Sequence, residues 1–342
     1  MSARRAARWL APVLVWMVVP ALAADGGGVA PAAPAAPAEP VRSAPPAQPV
    51  LDELQEVVIR APEPRYVAPT RRDRIGRIWA PVMINGKGPF RLVLDTGATN
   101  SAVMASVALQ LGLDLQAEPP VRLRGVTGTA TVASVRVDTI EIGDLYLQGR
   151  RLPIVTDALG GAEGVLGTEG LAGMRVHIDF RADTISITHS RGQRAPNGFT
   201  TVPLDLTRRR LPTMDAVTGG VRVKAIIDTG GQASIGNLAL RDALLRRRSA
   251  PQPSIDEITG ATLDVQIGEG YPAPSVFIGP LSIRNAHITF GDMHIFESWG
   301  MTDVPTLLIG MDTLGQFDTL IIDYRLSELQ FRLPDVPIVA LR

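Results

Sequence analysis

Leu94-Asp95-Thr96-Gly97-Ala98 and Ile227-Asp228-Thr229-Gly230-Gly231 are two copies of one short motif, each following a run of branched apolar residues. Such a run reads as a buried strand, and the glycine just after the carboxylate reads as a turn. A carboxylate held at the end of a buried strand is a group placed for chemistry. Two of them, one from each half of a duplicated chain, can meet on an internal pseudo-two-fold axis and share one proton. Identical parts then become one acid and one base.

An Asp-Thr-Gly tripeptide arises by chance in roughly one chain of this length in fifteen, and a single copy reads as a surface turn. The matching here runs far beyond the tripeptide. The two aspartates are 133 residues apart, and each motif is entered through Pro-x-Met, Pro81-Val82-Met83 and Pro212-Thr213-Met214. Downstream, Val126-Thr127-Gly128-Thr129-Ala130 answers Ile258-Thr259-Gly260-Ala261-Thr262 at an offset of 132. Val165-Leu166-Gly167 answers Leu308-Ile309-Gly310 at 143, and Ile178-Asp179-Phe180-Arg181 answers Ile322-Asp323-Tyr324-Arg325 at 144. The order is kept, with about eleven extra residues ahead of the second Gly310 segment. A repeat this long points to a duplicated structural unit.

Taken together, these elements resemble the retropepsin-like aspartic proteases in their single-chain form, whose halves imitate the two subunits of the retroviral dimer. The resemblance covers roughly residues 75 to 335. It implies a mainly β fold of two β-barrel lobes related by an internal pseudo-two-fold, each with a short helix. It implies an aspartic endopeptidase in which Asp95 and Asp228 form the catalytic pair. Thr96 and Thr229 match the threonines that hydrogen-bond across the lobe interface. Gly97 and Gly230 match the glycines that allow the turn and bring backbone N–H groups to the carboxylates. Val126-Thr127-Gly128 and Ile258-Thr259-Gly260 match the flaps, hairpins that close over an extended peptide and bond to its backbone as an added strand does. Two flap candidates fit the retropepsin arrangement, since pepsins have one.

The departures carry expectations of their own. Ala98 is the retroviral residue where pepsins carry a hydroxyl that hydrogen-bonds the outer carboxylate oxygen, and Gly231 is less usual there. Loss of that bond disfavours the charged form, so the dyad is expected to titrate higher than in pepsins and to work at mildly acidic to neutral pH. Thr168-Glu169-Gly170 is a looser match than Met311-Asp312-Thr313.

Composition fits an exported enzyme. Arg4, Arg5 and Arg8, an apolar stretch from Trp9 to Pro20, and Ala21-Leu22-Ala23 read as a signal peptide over 1–23; the alternative is an uncleaved anchor, for which the stretch is short. The Ala/Pro-rich segment 24–70 reads as a disordered tether, followed by an N-terminal lobe over 71–200 and a C-terminal lobe over 201–342. A periplasmic or secreted location follows, with no stable membrane span once the signal is removed. The absence of cysteine excludes thiol proteases, disulfide scaffolds and thiolate zinc sites. Charge is balanced at 34 against 34, giving no general attraction to nucleic acid. Arg208-Arg209-Arg210 and Arg246-Arg247-Arg248 read as solvated loops or helix ends.

Val135 and Val137, then Ile140 and Ile142, alternate with polar residues as half-buried strands do, and Gly143-Asp144 supplies a turn. Met104, Val107 and Leu111 predict one short helix, and Leu240 and Leu244 another with Asn237 as N-cap. Ser234 lacks the first glycine of a hydrolase nucleophile elbow. His287 and His294 flank Asp292 at a spacing that fits no standard zinc helix. Val126, Ile154, Ile258 and Leu308 are candidates for either core or substrate pocket. The chemistry calls for neither cofactor nor metal, and the partner is a protein or peptide substrate bound extended by a monomer that is an internal pseudo-dimer. Two rival readings are a non-catalytic peptide-binding module on the same fold and a structural envelope protein tethered by its Pro-rich arm.

Overall fold

The computed structural model describes residues 17–19, 68–69, 77, 79–156, 160–207, 211–246 and 252–334. The proposed signal and tether therefore lie outside the described residues, apart from the short strands Met17–Val19 and Ala68–Pro69. Arg208-Arg209-Arg210 and Arg247-Arg248 lie outside them too.

The molecule is mainly β. In the first half six strands close into a barrel, in the order Gly164–Leu166, Lys87–Leu94, Trp79–Ile84, Ser134–Ile142, Leu145–Val155, Ala102–Met104. Asn85 and Gly86 both take positive φ, 51° and 70°, which suits the tight turn between Trp79–Ile84 and Lys87–Leu94. All four alternating residues of Ser134–Ile142, Val135, Val137, Ile140 and Ile142, are buried.

In the second half nine strands form one sheet, in the order Ser254–Thr259, Val265–Pro272, His287–Phe290, Ile235–Gly236, Thr306–Ile309, Val221–Ile227, Thr213–Thr218, Val276–Ile278, Leu281–Ile283. The first half needs one unbroken hairpin, Ser134–Ile142 with Leu145–Val155, where the second is interrupted at Pro274 and again at Asn285. Proline cannot donate to a ladder, and Asn285 sits at φ 56°, so both strands break there.

One strand arrangement recurs around each Asp-Thr-Gly loop. Lys87–Leu94 runs parallel to Gly164–Leu166, with Val93 opposite Val165, and Val165 in turn faces Ala102 on an antiparallel neighbour. Val221–Ile227 runs parallel to Thr306–Ile309, with Ile226 opposite Leu308, and Leu308 faces Ile235 on an antiparallel neighbour. Strand alternation then sorts the side chains. Leu92, Leu94 and Leu166, like Ala225, Ile227 and Ile309, enter the main core. Val93, Ala102 and Val165 join one separate apolar cluster, and Ile226, Ile235 and Leu308 another.

A third sheet joins the halves, ordered Thr200–Pro203, Glu328–Arg332, Thr319–Asp323, Met174–Asp179, Thr184–His189, Ala68–Pro69. Its central pair, Met174–Asp179 with Thr319–Asp323, takes one strand from each half. Buried Arg175 crosses this seam, donating to Asp323 Oδ2 at 2.9 Å and to Gln330 Oε1 at 2.6 Å. Because both ions are desolvated, removing either partner strands a charge in the core.

The helix Ala105–Leu111 buries Val107 and Leu111 as expected, while Met104 stands at its N-cap position instead of inside it. The helix Leu238–Leu245 buries Leu240 and Leu244, and Asn237 caps it by accepting from the Leu240 N–H at 2.9 Å. Two short helices, His294–Ser298 and Met311–Leu314, were not expected from periodicity. The first occupies the second half's longer connection, 291–305 against 156–163, and so takes up much of the extra length.

Candidate active site

Each aspartate emerges at the end of its buried strand, where its backbone N–H is taken by the neighbouring parallel strand: Asp95 N–H to the Leu166 carbonyl and Asp228 N–H to the Ile309 carbonyl, both at 3.0 Å. The chain then turns back on the carboxylate. Gly97 and Ala98 donate to Asp95 Oδ1 at 2.8 and 3.0 Å; Gly230 and Gly231 donate to Asp228 Oδ1 at 3.0 and 2.9 Å. The two carboxyl groups lie within hydrogen-bond reach of each other. Both are buried, at 0% and 1% exposure, which is what makes their shared charge expensive.

The threonines tie the loops together. Thr96 Oγ1 donates to the Ile227 carbonyl at 2.6 Å and accepts from the Thr229 N–H at 3.1 Å. Thr229 Oγ1 donates to the Leu94 carbonyl at 2.7 Å and accepts from the Thr96 N–H at 3.1 Å. Each hydroxyl thus satisfies one buried donor and one buried acceptor of the opposite half.

The glycines serve by absence of a side chain. Neither Gly97 nor Gly230 has positive φ, so the turn itself does not demand glycine. A Cβ on Gly230 would fall 2.2 Å from Asp95 Cγ, and one on Gly97 would fall 3.1 Å from Asp228 Oδ1. The carboxyls approach each other only because both positions are bare.

The flap candidates come together as well. Val121–Arg124 and Thr129–Val132 form the first hairpin, and Ser254–Thr259 with Val265–Pro272 the second. Thr127 packs into the bare face of Gly260, where a Cβ would sit 2.2 Å from its Oγ1. Val126 reaches across into the second half's apolar cluster beside Ile258, and its carbonyl accepts from the Ile295 N–H at 3.2 Å. Ala261 crosses the other way, into the first half's cluster. Thr259, at the end of its strand, is half-buried. Of the four core-or-pocket candidates, Val126, Ile258 and Leu308 belong to this second cluster, whereas Ile154 packs against the main core.

Electrostatics raises both carboxyls. Burial, followed by the Asp228 charge, pushes Asp95 well above the ordinary carboxylate range, against the pull of the Gly97 and Ala98 N–H groups. Burial also raises Asp228, but Gly231, Gly230, the hydrogen bond from Asp95 and the Arg77 charge all hold it back. Both carboxyls are thus pushed upward, so the pair as a unit holds a proton above the ordinary carboxylate range. Arg77 is fully buried, and Tyr324, also buried, has its hydroxyl pushed up by burial and then by the Asp95 charge. Sequence reasoning singled out neither residue for the site, because an isolated Arg or Tyr carries no spacing signal.

A second recurrence does have a signal. Glu169, two residues after Gly167, accepts from the Ser101 N–H at 2.9 Å and from Asn100 Nδ2 at 2.8 Å, while Ser101 Oγ accepts from the Gly167 N–H at 3.1 Å. Asp312, two after Gly310, accepts from the Ser234 N–H at 3.0 Å and Oγ at 2.8 Å, while Ser234 Oγ accepts from the Gly310 N–H at 3.2 Å. Each serine lies six residues after its aspartate. Ser234 is therefore a loop brace, and Glu169, the looser match, takes the corresponding serine N–H through a longer side chain and Asn100 Nδ2 in place of the serine hydroxyl. Of the histidines weighed as ligands, His287 pairs with Asp256 at 2.8 Å and His294 with Glu297 at 3.3 Å.

Residues 80–169 match the family model for aspartyl protease. The match spans the first Asp-Thr-Gly loop, the hairpin Val121–Arg124 with Thr129–Val132, and Val165-Leu166-Gly167, so this part of the chain is similar to aspartyl protease. Among curated proteins, none matches the chain.

Proposed function

We propose that the chain is an exported aspartic endopeptidase, built as two duplicated lobes over 71–200 and 201–342, in which Asp95 and Asp228 share one proton and activate a water. The observation that carries this reading is the placement of two buried carboxyls within hydrogen-bond reach, in loops tied by reciprocal threonine bonds.

Asp228, relieved by Arg77 and by the bond from Asp95, is the ionised partner and removes a proton from the water as its oxygen attacks the peptide carbonyl carbon. Asp95 donates its proton to the carbonyl oxygen, so the intermediate is a neutral diol and no acyl-enzyme forms. Asp228 then passes its proton to the nitrogen as the C–N bond breaks. One diol O–H proton returns to Asp95 as the new carboxylic acid forms. The fully buried dyad needs the flap hairpins to part before an extended peptide enters between them. The high-lying titration of both groups favours work at mildly acidic to neutral pH.

The test is incubation of the chain with a peptide library beside Asp95→Asn and Asp228→Asn. Cleavage by the parent and by neither variant supports the proposal. Peptide binding with no cleavage by any of the three favours the non-catalytic module instead.

A further inference from the structure

The two apolar walls beside the dyad are built to one plan from side chains of different size. Val93 and Ile226 stand two residues before their aspartates, so strand alternation puts them on the same face as the carboxylates. Each meets one ladder partner, Val165 or Leu308, and that partner meets a third residue, Ala102 or Ile235. At all three matched positions the second half is larger, by one, one and three carbons. Behind its wall the second half adds Phe296 and Trp299, packed edge to face at 6.5 Å, on the helix connection that the first half lacks. The second wall is thus filled at its three matched positions and backed by two aromatic rings, while the first has Val, Val and Ala at those positions and a single aromatic, Trp79, in its cluster.

From this we infer that the protein cleaves between residues of unequal size, taking a large apolar side chain against the Val93–Ala102–Val165 wall and a small one against the Ile226–Ile235–Leu308 wall. The inference rests on the endopeptidase reading and names its substrate class. A close-packed interior gives way little, so an added methylene at a wall is felt by whatever packs on it. Pocket discrimination of this kind amounts to about tenfold or more per methylene.

The experiment uses the full chain and four peptides that differ only in the pair flanking the scissile bond: Phe–Phe, Phe–Ala, Ala–Phe and Ala–Ala. At least one mixed peptide is expected to show kcat/KM about tenfold above Phe–Phe. Ile235→Ala should raise Phe–Phe about tenfold relative to that mixed peptide, and Ala102→Ile should lower the mixed peptide while sparing Ala–Ala. Leu308→Val, a milder change, gives the same direction as Ile235→Ala should the latter fail to fold, as judged by circular-dichroism melting. Equal cleavage of Phe–Phe and the best mixed peptide, or variants that scale all four peptides by one factor, overturns the inference. If the parent cuts none of them, the endopeptidase reading fails on its own. Affinities of the same four peptides, measured by fluorescence anisotropy, then compare the walls directly: a mixed peptide bound more tightly than Phe–Phe upholds the size difference, and equal affinities overturn it.

Discussion

The Asp95 and Asp228 loops share their carboxylate and threonine hydrogen bonds and differ in what lies behind them. Both carboxylates accept from the two residues that follow Thr, and both threonines bond reciprocally. The Asp228 side feels the buried Arg77 charge, whereas the Asp95 side raises the buried Tyr324 hydroxyl. Equal inner geometry gives the two carboxyls no reason to differ. Any difference in how they hold a proton comes from the surroundings, not from the motif.

The largest effects should fall on the shared part. Asp95→Asn and Asp228→Asn are each expected to cut peptide cleavage by about a thousandfold or more, and the double variant little further, because the pair acts as one unit. Residual activity in one single variant alone breaks the equivalence. Both groups titrate above the unfolded carboxylate value of about 3.9, so in that window the folded state binds more protons than the unfolded one. Their contribution to stability is full below that value and is lost as pH rises through the folded pKa. Each Asn variant should therefore gain in Tm relative to the parent as pH goes from acidic to neutral. Thermal melts that show a constant difference across that range contradict the raised titration.

Next in size is the tie between the loops. Thr96→Ala and Thr229→Ala each leave one buried carbonyl and one buried N–H without their partner, which costs about 1–3 kcal/mol. The two losses should agree closely, and Ser at either position should restore most of it. Denaturant titration of the four variants measures this directly. Unequal losses show that the tie is less symmetric than its distances.

Much of this was legible because repetition amplifies weak signals. One Asp-Thr-Gly says little, but the offsets of 132 and 133 singled out together two aspartates, their threonines and the Gly128 and Gly260 turns, which the structure brings close to one another. The Asn237 cap was readable from local chemistry, since its side chain competes for the first free N–H groups of the helix. What escaped notice depends on meetings that spacing does not encode. Arg77 enters through three-dimensional convergence alone. Glu169 and Asp312 were visible as a mismatch, and only their common serine contacts reveal that two side-chain lengths serve one bond. The open sheet of the second half traces to Pro274 and Asn285, breakers whose effect could have been read from the chain. The helix His294–Ser298 is too short for any periodic signal.

Removing the asymmetric charge should produce a smaller, pH-dependent effect. Arg77→Met takes away a charge that holds Asp228 down, so its titration rises and the acid limb of the pH–rate profile moves to higher pH. Activity at the acid end should fall several-fold while the plateau holds, and Arg77→Lys should keep the limb near its parent position. An unshifted limb in Arg77→Met means that the charge does not set the division between the carboxyls.

The smallest effect is expected at Tyr324, which stands in Ile322-Asp323-Tyr324-Arg325 where the first half has Phe180 in Ile178-Asp179-Phe180-Arg181. Its hydroxyl is buried and has no hydrogen-bond partner among the described residues. Tyr324→Phe removes an unsatisfied polar atom and makes the two halves match, so stability should hold or rise by up to about 1 kcal/mol. The ring keeps its place in the core, and kcat/KM should stay within about twofold. A tenfold loss of activity with an unchanged Tm is the informative failure. It means that the hydroxyl turns toward Asp95 during turnover, so that the phenol is an asymmetric partner of the dyad rather than a bystander to it.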